Sequence, residues 1–185
     1  KNISVNEAVL NENGNLIDNV NELREWLPIG SSENAYNGTF EGNGNAVYGL
    51  YADKNYMGLF SQVGESAVVR NVGIVDSMFK GGSRIGGITG VNNGTIEGCY
   101  FSGKIVADNQ YVGGLVGENY GKVTNCFSLS YVQGSNMVGG IVGYSKQASV
   151  SNCYHSGSVF GNTDLGGIVG ASTYDTISNC YYNTT

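Results

Sequence analysis

The stretch "VTNCFSLSYVQGSNMVGGIVGYSKQASVSNCYHSGSVFGNTDLGGIVG", residues 123–170, states one phrase twice. Valine, a polar residue, asparagine, cysteine and an aromatic are followed by a variable run. A glycine pair, two aliphatics and a further glycine close the unit. Cys99, Cys126, Cys153 and Cys180 return every 27 residues. The pairs Gly86-Gly87, Gly113-Gly114, Gly139-Gly140 and Gly166-Gly167 follow at 27, 26 and 27. Three residues before each cysteine stands a β-branched aliphatic: Ile96, Val123, Val150 and Ile177. The residue before each cysteine is Gly98, Asn125, Asn152 or Asn179, and the residue after it is Tyr100, Phe127, Tyr154 or Tyr181.

The register extends backwards in weaker form. "VRNVG" supplies Val69, Asn71 and Val72 in the aliphatic, asparagine and cysteine places, and "VYGLY" supplies Val47, Gly49, Leu50 and Tyr51. "MGLFS", Met57 to Ser61, stands where later units carry "VGGLVG". About six units are visible from roughly residue 40 onward. Each holds short β-favouring runs split by Asn, Gly, Ser and Asp, and none offers ten residues at helical spacing. Three strands of about five residues and three turns use about 27 residues. A unit of that size repeated in register stacks as a parallel β-solenoid, whereas a propeller blade needs about 40 residues or more. Parallel crossovers are right-handed in nearly all proteins, so the expected fold is all-β, a right-handed parallel β-helix over residues 40–185.

Residues 1–39 read as an N-terminal cap. In "DNVNELREWL", Val20, Leu23 and Leu27 have helical spacing, and Asn19 with Glu22 offers a capping box. A short helix over 19–27, ended before Pro28, is expected to cover the first coil. No comparable cap closes "SNCYYNTT", so a longer parent chain is expected.

Composition bounds the function. The net charge of −6 argues against nucleic acid, whose phosphates call for clustered Lys and Arg. No apolar run approaches the length of a membrane span. The acidic, Asn-, Gly-, Ser- and Tyr-rich surface fits an extracellular setting.

A single zinc ion cannot gather the four cysteines. Stacked at about 4.8 Å per coil, the outer two lie about 14 Å apart, while each sulfur would need to sit about 2.3 Å from the metal. A Cα spacing near 4.8 Å admits disulfides between neighbouring coils, but parallel side chains hold their Cβ atoms farther apart than the usual ~3.8 Å. The favoured reading is a reduced, buried ladder, because Leu50 and Val72 take the same register without any thiol. Asn71, Asn125, Asn152 and Asn179 read as a second structural ladder, since stacked Asn side chains hydrogen-bond along an axis and tolerate left-handed corners. The column Tyr51, Tyr100, Phe127, Tyr154 and Tyr181 points outward. Cross-strand packing accounts for it, and a platform for sugar rings or a protein partner is the sharper alternative.

No catalytic, cofactor-binding or metal-binding set is assigned. Glu97, Asp108, Glu118, Asp164 and Asp175 fall at unrelated repeat positions, while a glycosidase needs two carboxylates on one face. His155 is the only histidine, which leaves a cysteine nucleophile without an evident base.

"GGLVGENYGKVTNCFS", from Gly113, and the later "GGIVG…VSNCYHSGSVFG" resemble the GLUG repeat, named for a Gly-Leu-aliphatic-Gly core. The lead-in "WLPIGSSENAYNGTFEGNGNAVYGLY", Trp26 to Tyr51, is similar to the stretch that commonly precedes such repeats. The resemblance covers about residues 20–183. Lys146 to Ala148 departs from the usual Asn-Gly turn, and Gly98 replaces Asn. The resemblance implies a module of a bacterial cell-surface or secreted protein, of the kind seen in adhesins and in the non-catalytic region of immunoglobulin-A-specific metallopeptidases. Its implied role is adhesion, or binding of a host glycan or protein, through the aromatic column or the loops after each "GSV" strand. The alternative is a passive spacer that positions neighbouring domains of the same chain. A polysaccharide-degrading enzyme is the outsider.

Overall fold

The computed structural model describes residues 1–183. Its strands pair in parallel throughout the repeat, each with its counterpart about 27 residues away. Five complete windings cover residues 39–63, 68–92, 95–119, 122–146 and 149–173, and a sixth begins at Thr176. Three sheets form the walls. The long one is a bent sheet containing Thr39–Tyr48, Val68–Gly81, Tyr100–Ala107 and Phe127–Gln133, and it turns at the asparagine corner. The second stacks Ile85–Gly86, Gln110–Gly113, Asn136–Gly139 and Thr163–Gly166. The third stacks Phe60–Val63, Thr89–Asn92, Val116–Asn119, Val142–Lys146 and Val169–Thr173. The expected all-β parallel solenoid is the observed fold, with five full turns where about six were expected.

Alternation along the strands sends one set of side chains into a continuous, largely apolar core. Val69, Ile96, Val123 and Val150 form a fully buried aliphatic file, and Ile88, Leu115 and Ile141 form another across the shaft. Burying each such side chain stabilises the fold by roughly 1.5–3 kcal/mol. Phe79 and Phe101 stack inside, with ring centroids 6.0 Å apart. The glycine pairs belong to this packing. A Cβ on Gly140 would lie 2.3 Å from ring carbons of His155, and one on Gly114 would lie 2.3 Å from the Ser128 hydroxyl. Close approach of backbone to side chain, rather than a left-handed turn, requires glycine there.

The first winding departs from the sequence register. A bulge between Glu41 and Asn45, with Asn43 and Gly44 in left-handed conformations (φ 52° and 74°), adds residues to its corner. Beyond the bulge the 27-residue step holds, so Asn45 pairs with Val72 and Tyr51 with Met78. Leu50 accordingly lies outside the cysteine file and Tyr51 outside the aromatic file. The later files run in the expected register.

The expected helix over 19–27 is reduced to one 3-10 turn, Val20–Glu22, and the Asn19 side chain caps nothing. The neighbouring sheet edge offers unpaired backbone groups, and satisfying them in extended form outweighs a short local helix. Glu25, Ile29 and Tyr36 pair in parallel with Tyr51, Phe60 and Val63, and the Trp26 indole donates to the Gly58 carbonyl over 3.1 Å. The Asn6 side chain ties the segment down. It donates to the carbonyls of Arg24 (3.0 Å) and Gly49 (2.7 Å) and accepts from the Arg24 amide (2.8 Å).

Candidate functional site

The cysteine file stands inside the shaft, and all four thiols are free. Cys99, Cys126 and Cys153 are buried, while Cys180 in the last described winding is partly exposed. Each sulfur donates to a carbonyl two residues before it; Cys126 reaches Thr124 at 3.0 Å. Sulfur contacts with Cys153 and Cys99, together with burial, hold the Cys126 thiol well above its ordinary range.

Next to this file the asparagines turn the corner. Asn71, Asn125, Asn152 and Asn179 all have φ between 52° and 57°, and Gly98 takes the same place at 61°. The Asn179 amide donates to Asn152 (3.2 Å), and the Asn152 amide donates to Asn125 (3.1 Å), so the side chains form a chain along the axis.

The aromatic file faces outward. The rings of Tyr100 and Phe127 are parallel to within 1°, with centroids 4.8 Å apart. Coplanar rings cannot approach that closely, so each covers a face of the other. Gly73 lies against Tyr100 from the preceding coil: a Cβ there would meet the ring at 2.0 Å. Tyr100 is therefore covered on both faces. Tyr154 and Tyr181 continue the register with increasing exposure.

A concave surface lies one corner further along each winding, where the chain leaves the long sheet for the second sheet. The bends Gly82-Ser83, Asn109-Gln110, Ser135-Asn136 and Asn162-Thr163 stack there. The amide of Asn109 donates to the Gly82 carbonyl (2.9 Å), that of Ser135 to Asn109 (2.7 Å), and that of Asn162 to Ser135 (2.8 Å). Ser83, Asn109, Gln110, Ser135 and Asn136 line a groove of about 440 Å³. Every lining side chain is polar and uncharged. Asn162 donates to the Ser135 hydroxyl (3.2 Å) and Thr163 to the Asn136 side-chain oxygen (2.7 Å), which orients both acceptors. Among the described residues the side chains of Asn109 and Gln110 have no hydrogen-bond partner. These bends are the loops after the "GSV" strands, but the individual residues escaped the sequence reading because they differ from coil to coil.

Beside the groove, Tyr56, Arg84, Tyr111, Met137 and Asp164 form a file of left-handed non-glycine residues. The Arg84 guanidinium lies between two rings, 5.1 Å from the Tyr56 centroid and 4.9 Å from that of Tyr111. Its Nε donates to buried Glu118 on the third sheet over 2.6 Å. The Tyr120 hydroxyl donates to the same carboxylate (2.5 Å), and burial with that bond pushes the phenol up to about 12. Arg84 is thus paired with Glu118 through Nε and held between two rings.

Three successive stretches, residues 81–106, 108–129 and 134–159, match the family model of the GLUG motif. The chain carries GLUG repeats. It is 32% identical over 121 residues to halomucin of Haloquadratum walsbyi, covering 58% of this chain and 1% of halomucin. It is 35% identical over 78 residues to an Evansella cellulosilytica protein provisionally named a Gly-rich membrane protein, covering 39% of this chain and 9% of that one. A crystal structure from Bacteroides ovatus, provisionally named an immunoglobulin A1 protease, superposes with a TM-score of 0.68. That match covers 87% of this chain and 65% of the other at 20% identity, a likeness of fold. The chain spans only a small fraction of the two relatives matched in sequence.

The GLUG coils disperse their acids. Glu97 pairs with Thr124, Glu118 with Tyr144, Asp108 precedes Asn109 in the groove bend, Asp164 follows the groove corner, and Asp175 occupies a further bend. These five carboxylates occupy different registers. Among the described residues no group of three or more His, Cys, Asp or Glu is placed to hold a metal ion.

Proposed function

We propose that this chain is a non-catalytic GLUG module of a surface or secreted protein, and that it binds an extracellular ligand through the neutral groove between the long and second sheets. The groove carries the reading. It is a concave surface where side chains from several coils converge, and its Asn109 and Gln110 amides are unengaged while the thiol, asparagine and Tyr100–Phe127 files are occupied with one another. A groove of convergent polar groups is what orients a bound molecule. The similarity to a Gly-rich membrane protein supports a setting at the cell surface. Fold alone assigns no chemistry, so the site has to carry the function.

The test is a binding screen of glycans and extracellular proteins against the chain and its Asn109→Ala/Asn136→Ala variant. Binding that is lost in the variant while the melting temperature stays unchanged supports the groove. The second reading, a passive spacer, draws on the Tyr100–Phe127 stack, which needs no ligand to account for it. A screen that yields no binder favours the spacer.

A further inference from the structure

Resting on the reading of the groove as a binding site, we infer that its ligand is a neutral polysaccharide lying along the solenoid axis, one sugar residue per coil. The lining steps from Ser83 to Asn109 and Gln110, then to Ser135 and Asn136, and Asn162 and Thr163 extend the same line into the next winding. Each step is one inter-strand spacing, about 4.8 Å, comparable with the advance of one pyranose ring in an extended chain. A polymer that presents similar hydrogen-bonding groups at that interval meets an equivalent set of amides and hydroxyls in every coil.

The chemistry of the lining selects the polymer. Serine hydroxyls and Asn and Gln amides each donate and accept, as sugar hydroxyls do. The neighbouring Arg84 has its charge balanced by Glu118 and lies between the Tyr56 and Tyr111 rings, which weakens its pull on an acidic sugar. Asp108 and Asp164 adjoin the groove residues in sequence, and the chain carries a net charge of −6, both unfavourable to a uronic-acid polymer. A peptide added as a strand would need free backbone groups. The Asn109 carbonyl, however, already accepts from the amides of Ser135 and Asn136 (2.7 and 3.4 Å).

An aromatic rim adjoins the polar floor. Tyr131 and Phe160 pack with centroids 5.1 Å apart and an interplanar angle of 35°, and Phe160 is 49% exposed. Phe160 precedes Asn162 by two residues, and Gln133, two after Tyr131, precedes Ser135 by two. Lys104 Nζ lies 5.0 Å over the Tyr131 ring, so the open ring surface is that of Phe160, and the apolar face of a pyranose packs on such a surface.

Calorimetric titration of the whole chain with neutral gluco-, manno- and N-acetylglucosamine oligosaccharides, from disaccharide to octasaccharide, tests this. Affinity is expected to rise with each added sugar up to about four, the number of stacked groove corners, and then level off. The Asn109→Ala/Asn136→Ala variant, altered at surface positions, should bind about tenfold more weakly with an unchanged melting temperature. Phe160→Ala should also weaken binding. Affinity independent of length, equal binding by the double variant, or preference for an oligouronate of the same length would overturn the inference. If no oligosaccharide binds but a protein ligand is lost with the double variant, the ligand class falls and the binding role stands. If nothing binds, both fall.

Discussion

The Tyr100 ring lies over Gly73 of the preceding winding, in the place a side chain on that residue would fill; a Cβ there would stand 2.0 Å from its Cζ. Its parallel contact with Phe127 depends on that vacancy. Gly73→Ala forces the ring to swing out and give up the stack, at about 0.5–1.5 kcal/mol. The same change in a Tyr100→Ala background should cost less. Chemical denaturation of the two single variants and the double variant measures the coupling, and additive losses would contradict it.

The asparagine corner contains its own control in Gly98. Asn152 combines a left-handed backbone (φ 53°) with two side-chain bonds, donated to Asn125 and accepted from Asn179. Asn152→Ala keeps neither advantage and should lose about 1–2 kcal/mol. Asn152→Gly keeps the backbone freedom and should lose clearly less. Equal losses in the two variants would show that the side-chain ladder, rather than the conformation, dominates.

His155 is fully buried, and neither ring nitrogen has a hydrogen-bond partner. Burial holds its pKa below the ordinary imidazole value, against a smaller opposing effect from nearby backbone groups. The unfolded chain binds its proton first as pH falls through about 6.5. This residue's contribution to stability is therefore complete above that pH, shrinks as pH drops below it, and levels off once the folded form also protonates. Melting temperatures from pH 8 to 5 should fall more for the natural chain than for His155→Phe, which matches Phe101 in the same file. Parallel curves would refute this.

The thiols divide by position. Cys99, Cys126 and Cys153 are at most 2% exposed, and Cys180, in the last described winding, is partly exposed. A thiol reagent at pH 8 should label Cys180 alone in the folded chain, slowly because burial raises its pKa as well, and all four in denaturant. Mass spectrometry of the labelled peptides decides. Cys126→Val should fold with a stability change within about 1.5 kcal/mol, since Val72 occupies the same file two windings earlier.

Arg84 and Glu118 close the contact between the groove corner and the third sheet. Arg84→Ala leaves Glu118 buried with Tyr120 as its remaining hydrogen-bond partner, so a loss of about 2–3 kcal/mol is expected. The Tyr120 phenol should titrate near 12 in the natural chain and lower in Glu118→Gln. Ultraviolet difference titration reads the shift.

The 27-residue recurrence carried the architecture because it reports which residues share a register. Ile96, Val123 and Val150 lie over one another as their spacing implies, and so do Cys99, Cys126 and Cys153. In the first winding the likeness of "VYGLY" to the later phrase was misleading: it put Leu50 in the cysteine file 22 residues before Val72, whereas the 27-residue step puts Asn45 there and pairs Tyr51 with Met78. The capping pattern at Asn19 was sound local chemistry, but the open sheet edge beside Trp26 and Ile29 overrode it.

The groove belongs to a different kind of information. "DNQY", "GSNM" and "GNTD" have little in common as strings, and the polar run between the strands was their single signal. Repetition along a chain specifies what stacks on what, since burial of equivalent apolar residues rewards identical spacing. Which unlike side chains converge on one hollow, and which charge is drawn away from it, follows from how three sheets meet at a corner. That geometry arises only when Ser83, Asn109 and Ser135 are brought together from successive coils.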